Sequence, residues 1–292
     1  MAAARRVITL TTDFGTSDHY VAAMKGLILG INPDVTIVDV SHEVRPQQVT
    51  EGAFLLQAVR PCFPTGTVHV AVVDPGVGTE RRALILATPH GLFVGPDNGV
   101  LSPALTDSAR PRHSRTGTTA VPVPSGCTAI AITERRYLRE PISATFHGRD
   151  IFAPVAAHLT LGVAPESFGE KVSTVLALPP FRARRRRDGR LSGRVIHIDR
   201  FGNLTTDIRA VDIGGGEVTV EIAGLVLRGL SKTYGQVDGL VALIGSSGYL
   251  EVALPRGSAA ELLDVDVGAP VTVRPLVVRL RRHEASSSAD PR

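Results

Sequence analysis

The chain changes its hydrophobic rhythm once, near Pro179-Pro180, and that change limits it to two folding units of different class. Before it, strand-like and helix-like segments alternate. VITLTT (7–12) reads as a buried strand, and HYVAAMKGLILGI (19–31) as a helix that Ser17 or Asp18 can cap and Asn32-Pro33 ends. VTIVDVS (35–41) and TVHVAVVD (67–74) are further strands around a second helix, QQVTEGAFLLQAV (47–59). ALILAT, GLFVG and TAIAIT extend the pattern, and IFAPVAAHLTLG (151–162) supplies another helix. Strands alternating with helices of this length predict βαβ units and a mainly parallel sheet covered on both faces. After the prolines come GRVIHIDR, NLTTDI, EVTVEIAGLVLRGL, GLVALIG, YLEVAL and APVTVRPLVVRL, separated by Gly, Asn and Ser. Short β-rich segments with no long helix predict a smaller all-β domain, antiparallel or barrel-like. The expected division is an α/β domain over 1–178, an arginine-rich linker over 179–190, a β domain over 191–281 and a polar, disordered tail over 282–292.

Composition excludes several classes. The net charge is only +4, and much of the basic excess sits in RARRRRDGR (182–190). That run has no interleaved aromatic residue and no surrounding recognition motif, so it reads as a solvated linker, with no nucleic-acid partner expected. Cys62 and Cys127 are too few for a disulfide framework and read as ordinary buried thiols. The start, MAAARR, is too short for a signal peptide's apolar core, and no run approaches a membrane span. A cytoplasmic location with no membrane partner is the expectation.

The loop in HVAVVDPGVGTERRALILAT (69–88) resembles the start of a phosphate-binding turn, because Gly76 and Gly78 follow a β-branched run. A dinucleotide fingerprint needs a third glycine and a following helix. Here Pro75 removes an amide and the next segment is strand-like, so the glycines serve a tight strand-to-strand turn. What remains is Asp74 at a strand's carboxyl end, where open α/β sheets collect ligands, and Arg81 across the turn. The alternative is an Asp that caps the turn and a surface Arg.

Other polar clusters fall at strand ends. TTDFGTSDHY holds Asp13 and Asp18, GPDNG holds Asp97 and Asn98, and ATFHGRDIFAP crowds His147, Arg149 and Asp150 before a helix. Each has a structural alternative: Asp150 as a helix N-cap, Asn98-Gly99 as a turn, Arg149 paired with Asp150. In the β-rich part, Asp199, Phe201 and Asn203 can together meet an amine, an aromatic base and a polar edge. Ser246, Ser247, Tyr249 and Glu251 add hydroxyls and a carboxylate. Turns at 201–203 and 246–248 are the structural alternatives there.

The ordered set TTDFG with Asp18, Tyr20-Val21 and Met24-Lys25-Gly26, then VVDPGVG with Arg81, GPDNG, TFHGRDIFAP, DRFGN and GYLEVA resembles the S-adenosyl-L-methionine (SAM) hydroxide adenosyltransferases, the adenosine-forming SAM hydrolases. They are related to the SAM-dependent fluorinase and chlorinase. The resemblance implies a homotrimer with SAM held at subunit interfaces, between one subunit's α/β domain and its neighbour's β domain. It implies water or hydroxide attack on ribose C5′, yielding adenosine and L-methionine, with SAM as substrate, no cofactor and no metal. It places a catalytic trio on Asp74, Arg81 and His147, and the ribose hydroxyls on Asp13. The methionyl ammonium falls to Asp199, and adenine to Phe201 and Asn203. Ser246, Tyr249, Glu251 and Leu254 fall in a segment near the substrate's ends, and Asp18, Asp97 and Asn98 in the other matched motifs.

The residue types suit that chemistry. A sulfonium departs as a neutral thioether, so the difficult step is supplying an in-line oxygen nucleophile. Asp74 and His147 can orient a water and accept its proton, while Arg81 favours a hydroxide-like state. The halogenating relatives carry Tyr at position 74 and Tyr-Ser at 147–148; a carboxylate at 74 repels a halide and holds water, which favours hydrolysis. Two other readings stay open: a non-catalytic SAM or adenosine sensor using the same pocket, and a SAM-dependent halogenase.

Overall fold

The computed structural model describes residues 6–112, 117–236 and 238–276, in two compact units, Met1–Phe181 and Arg182–Arg292. The expected disordered tail, 282–292, lies outside the described residues, as do residues 1–5 and 113–116.

The first unit is α/β. Strands β1 (Val7–Thr12), β2 (Thr36–Ser41), β3 (Val68–Val72), β4 (Ala83–Thr88), β5 (Gly91–Pro96), β6 (Thr119–Pro122), β7 (Thr128–Ile132), β8 (Gly169–Val172) and β9 (Thr174–Ala177) accompany helices α1 (Tyr20–Ile31), α2 (Val49–Val59) and α3 (Ala153–Thr160). Seven strands form one sheet in the order β2-β1-β3-β5-β4-β7-β8. The joins from β2 to β5 are parallel, the product of crossover connections. β4, β7 and β8 continue the sheet antiparallel, and β6 pairs with β9 separately.

Burial on both faces follows from alternation along the strands. Ile8 and Leu10 of β1 point into one core with Met24 and Ile28 of α1 and Val155, Ala156 and Leu159 of α3. Ala71, Leu84, Leu86 and Phe93 point into the other, with Leu56 of α2. The sequence placed a cap at Ser17 or Asp18; instead α1 begins after His19, and no side chain caps it. The thiols also differ from expectation. Cys62 is exposed at the end of the short turn that continues α2 to the surface, and Cys127 is half-buried.

The second unit is a nearly closed antiparallel sheet. It comprises β10 (Arg184–Arg185), β11 (Leu191–Ile198), β12 (Leu204–Arg209), β13 (Val218–Ile222), β14 (Leu225–Arg228), β15 (Val241–Ile244), β16 (Tyr249–Ala253) and β17 (Pro270–Pro275), with short helices α4 (Ala210–Ile213) and α5 (Ala259–Leu263). The strand order is β14-β13-β17-β11-β12-β16-β15, with β10 on β11. The Ser231 amide donates to Ala242 carbonyl oxygen at 2.8 Å, bringing the chain after β14 against β15 and almost closing the barrel. Its core includes Val195, Leu204, Ile208, Val220, Leu250 and Val273. Within the arginine run, Arg184–Arg185 pair with Leu191–Ser192, so part of it is strand.

Candidate functional site

Three strand ends and one helix start converge in the first unit. Asp13 follows β1, Asp74 follows β3, Arg81 precedes β4, and His147 sits just before a single π-helical turn, Gly148–Phe152, that leads into α3. The parallel pairing of β1 with β3 aligns their carboxyl ends, Thr12 beside Val72, which sets Asp13 near Asp74. The loop from Asp74 to Arg81 is not the tight strand-to-strand turn expected from its glycines. β5 lies between β3 and β4 in the sheet, so the loop steps over that strand's end. Only Gly78 of the pair has a positive φ, +77°. A Cβ there would stand 2.3 Å from the Ala144 carbonyl oxygen, because the loop lies directly against the segment that carries His147.

Arg81 joins the other two expected catalytic residues, Asp74 and His147. Its Nε donates to both Asp74 carboxylate oxygens at 3.0 Å, and a terminal NH2 donates to Asp74 Oδ2 as well. The same NH2 lies 2.7 Å from His147 Nδ1. A guanidinium has no lone pair to offer, so Nδ1 is the acceptor and the imidazole carries its proton on Nε2. The guanidinium also lies over the Phe152 ring, 5.4 Å from its centroid. Burial, and then Arg81, hold His147 below the ordinary imidazole range against the opposing pull of Asp74 and Asp150.

Asp13 accepts from the Gln47 amide at 2.8 Å through Oδ2. Burial raises its carboxyl above the ordinary range and nearby Asp74 adds to that, while the Gln47 N–H opposes it. Asp13, Phe14, Asp74, Phe146 and His147 line one cleft of about 60 Å³. Phe14, Tyr20 and Phe146 pack as an aromatic group beside it, with centroids 5.0–5.9 Å apart. Gly148 admits no larger side chain without displacing that group: a Cβ there would lie 3.0 Å from Phe14 Cε2 and 3.3 Å from Met24 Sδ.

The remaining candidates separate into different roles. Asp97 is buried and committed to Arg82, with Nε at 2.9 Å, and to the Leu176 amide at 2.7 Å, which ties β5 to β9. Asn98 Nδ2 donates to the Val73 carbonyl oxygen at 2.8 Å, holding the backbone one residue before Asp74. Asp18 is exposed on the approach to α1. Asp150 is fully buried and pairs with Arg149 as the sequence allowed, but also with Arg139 and the Ser143 amide; it lies inside the π turn and is not an N-cap.

In the second unit, Asp199 organises the turn that follows β11. Its Oδ1 accepts from the Phe201 and Asn203 amides and its Oδ2 from Asn203 Nδ2, all at 2.9 Å. Phe201 is left 75% exposed. Ser246 sits in the exposed β15–β16 turn, while Tyr249 and Glu251 are buried on β16. Leu254 packs against the barrel core. Tyr234, which no motif singled out, donates its hydroxyl to Glu251 Oε1 at 2.7 Å. Burial and Glu251 push that phenol up to about 12. Glu251 is itself raised, by burial first and by Asp199. Gln47 and Tyr234 lie in no motif of the sequence, and Phe14, although within TTDFG, is an apolar ring beside the charged residue that marks the strand end.

Among the described residues no helix is long and apolar enough to cross a membrane. Among them, too, no group of three or more His, Cys, Asp or Glu is placed to hold a metal ion.

Comparison with known proteins places this geometry in context. The SAM hydroxide adenosyltransferase N-terminal domain model matches residues 8–169, and the C-terminal domain model of the same name matches 193–272. A protein of Thermus thermophilus named (R)-S-adenosyl-L-methionine hydrolase is 40% identical over 91% of this chain and 98% of its own length. A Methanocaldococcus jannaschii protein of the same name is 35% identical over 89% and 92%. A fluorinase of Nocardia brasiliensis is more distant, 27% identical over 92% and 97%. Among solved structures, an uncharacterized conserved protein from Thermotoga maritima superposes with a TM-score of 0.79 at 32% identity, covering 91% of this chain and 99% of that one.

Proposed function

Because the chain belongs to the SAM hydroxide adenosyltransferase family, we propose that it hydrolyses S-adenosyl-L-methionine to adenosine and L-methionine, and that its substrate is the R epimer at sulfur. The observation that carries the reading is the single guanidinium of Arg81 held between Asp74 and His147, two residues that line the cleft. The names of the relatives specify the R epimer, which is why that sulfonium configuration is proposed here.

With Nδ1 of His147 occupied by Arg81, its Nε2–H is a donor and orients the oxygen of the attacking water. Asp74 Oδ1 keeps acceptor capacity beyond its contact with Arg81, and takes the proton. The new O–C5′ bond forms as C5′–S breaks, and the electron pair leaves on sulfur as the neutral thioether of methionine. Asp13 has Oδ1 free of the Gln47 contact and holds the ribose hydroxyls. Asp199 receives the ammonium, while Phe201 and Asn203 hold the adenine. Glu251, Ser246, Tyr249 and Leu254 shape the segment beside them. The assembly proposed is a homotrimer in which copies share the substrate, with no metal or cofactor in the reaction.

Against halogenation stand the carboxylate of Asp74, which repels a halide, and Gly148, whose surroundings press on any added side chain. The sensor reading has no need of a water-orienting donor paired with a carboxylate. Incubating the protein separately with (R)- and (S)-SAM tests the proposal: adenosine and methionine in equal amounts from the R epimer are expected. Release from S alone overturns the epimer assignment, and binding without release from either epimer favours the sensor.

The His147 environment fixes a pH dependence. The imidazole must be neutral to accept from Arg81, and its pKa is lowered, so protonation sets in only as pH falls beneath the ordinary imidazole value. The acid limb of kcat/KM should therefore have its midpoint below about pH 6.5. A rate profile whose acid limb lies above that value contradicts the assigned tautomer.

A further inference from the structure

We infer that His42 is a positioning residue that sets the Asp13 loop through Thr12; this rests on the SAM reading above. Thr12 is the last residue of β1 and is fully buried, one position before Asp13. Its hydroxyl lies 2.8 Å from Nδ1 of His42, which is itself buried. The Phe14 amide donates to the same hydroxyl oxygen at 3.3 Å.

With a neutral His42 ring those contacts have one consistent direction. The Thr12 oxygen accepts from Phe14 and donates its proton to His42 Nδ1, which leaves the imidazole proton on Nε2. Nε2 lies 3.0 Å from Asp39 Oδ1, off the line of a good hydrogen bond but facing a carboxylate that Lys25 also contacts, at 2.5 Å. The opposite tautomer would turn a nitrogen lone pair towards that carboxylate. Phe14, Thr12, His42, Asp39 and Lys25 thus form a chain of polar contacts from the cleft to the surface.

The segment carrying His42 grips the Asp13 loop at further points, one of them the Thr16 hydroxyl donating to Glu43 Oε1 at 3.1 Å. The His42 carbonyl oxygen accepts from the Gly15 amide at 2.7 Å, the Val44 amide reaches the Thr12 carbonyl oxygen at 3.4 Å, and Gln47 donates to Asp13 itself. The carbonyl contact and the ring contact both come from His42, so the ring fixes where the loop sits, and Gln47 fixes the rotamer of its carboxylate. Neither His42 nor Thr12 lines the cleft. Their effect on substrate passes through Asp13, whose proposed contact is with ribose hydroxyls away from the reacting C5′–S bond. Loss of that placement removes ground-state and transition-state binding alike.

Thr12→Val removes the hydroxyl and keeps the shape; Thr12→Ser restores the hydroxyl. The measurements are KM and kcat with (R)-SAM and the Kd for adenosine by calorimetry. Thr12→Val should raise KM and the adenosine Kd about tenfold or more with kcat within a few-fold, while Thr12→Ser stays near wild type. His42→Gln, which moves the acceptor away from Thr12, should show the same split. A merely structural role lowers kcat with the folded fraction at constant KM, and that outcome overturns the inference, as does Thr12→Ser being as impaired as Thr12→Val. Wild-type protein that neither turns over SAM nor binds adenosine overturns the SAM reading and this inference with it.

Discussion

Asp74→Asn is expected to lower kcat by about 10²–10⁴-fold while leaving KM for (R)-SAM within a few-fold. The amide matches the carboxylate in size, and its oxygen can remain at the Oδ2 position, where Arg81 donates through two nitrogens. The NH2 group then takes the Oδ1 position and presents donors where the water needs an acceptor. Substrate binding survives because the ribose grip on Asp13 does not pass through Asp74. The measurement is release of adenosine and methionine under initial-rate conditions, with thermal unfolding as a check on the fold. His147→Gln provides the contrast: if the imidazole were the proton acceptor, its loss would exceed that of Asp74→Asn. A loss smaller than tenfold for Asp74→Asn would remove Asp74 from the accepting role.

The strands and the division of classes were legible because hydrophobic runs report burial directly. Val7–Thr12 and Ala83–Thr88 are largely buried, and their β-branched and aliphatic residues read as strand. Loop geometry was less legible. Nothing in DPGVGTERR reveals that β5 inserts between β3 and β4, because strand order is settled by non-local pairing. The same applies to Asp97 and Asp13, two aspartates at strand ends with one sequence signature. One is consumed by Arg82 and the Leu176 amide; the other keeps an oxygen towards the cleft. The difference lies in partners 15 to 79 residues away, beyond the reach of any local pattern. The charge pair Arg149–Asp150 was readable from adjacency, whereas the π turn that contains it was not.

Arg81→Met should be the most destabilising single change in the site, by about 3–5 kcal/mol, and should abolish turnover. The Asp74 side chain is only 5% exposed and that of Arg81 11%, so removing the guanidinium leaves a carboxylate with little water to replace it. Asp13 is already raised in part by the charge on Asp74, and without Arg81 that repulsion loses its nearest counter-charge. His147 loses the donor to Nδ1 at the same time. The greater part of the cost is therefore the stranded charge, and that distinguishes the pair from a simple loss of packing. Adding Asp74→Asn to Arg81→Met neutralises the stranded group, so the double variant should regain a substantial share of the lost stability while staying inactive. Urea unfolding of the wild type, both single variants and the double variant closes the cycle. Strict additivity of the two single changes would mean that Asp74 and Arg81 do not depend on one another for folding. Recovery in the double variant would instead show that the Asp74–Arg81 ion pair is retained for chemistry, since a neutral pair then folds nearly as well and does nothing.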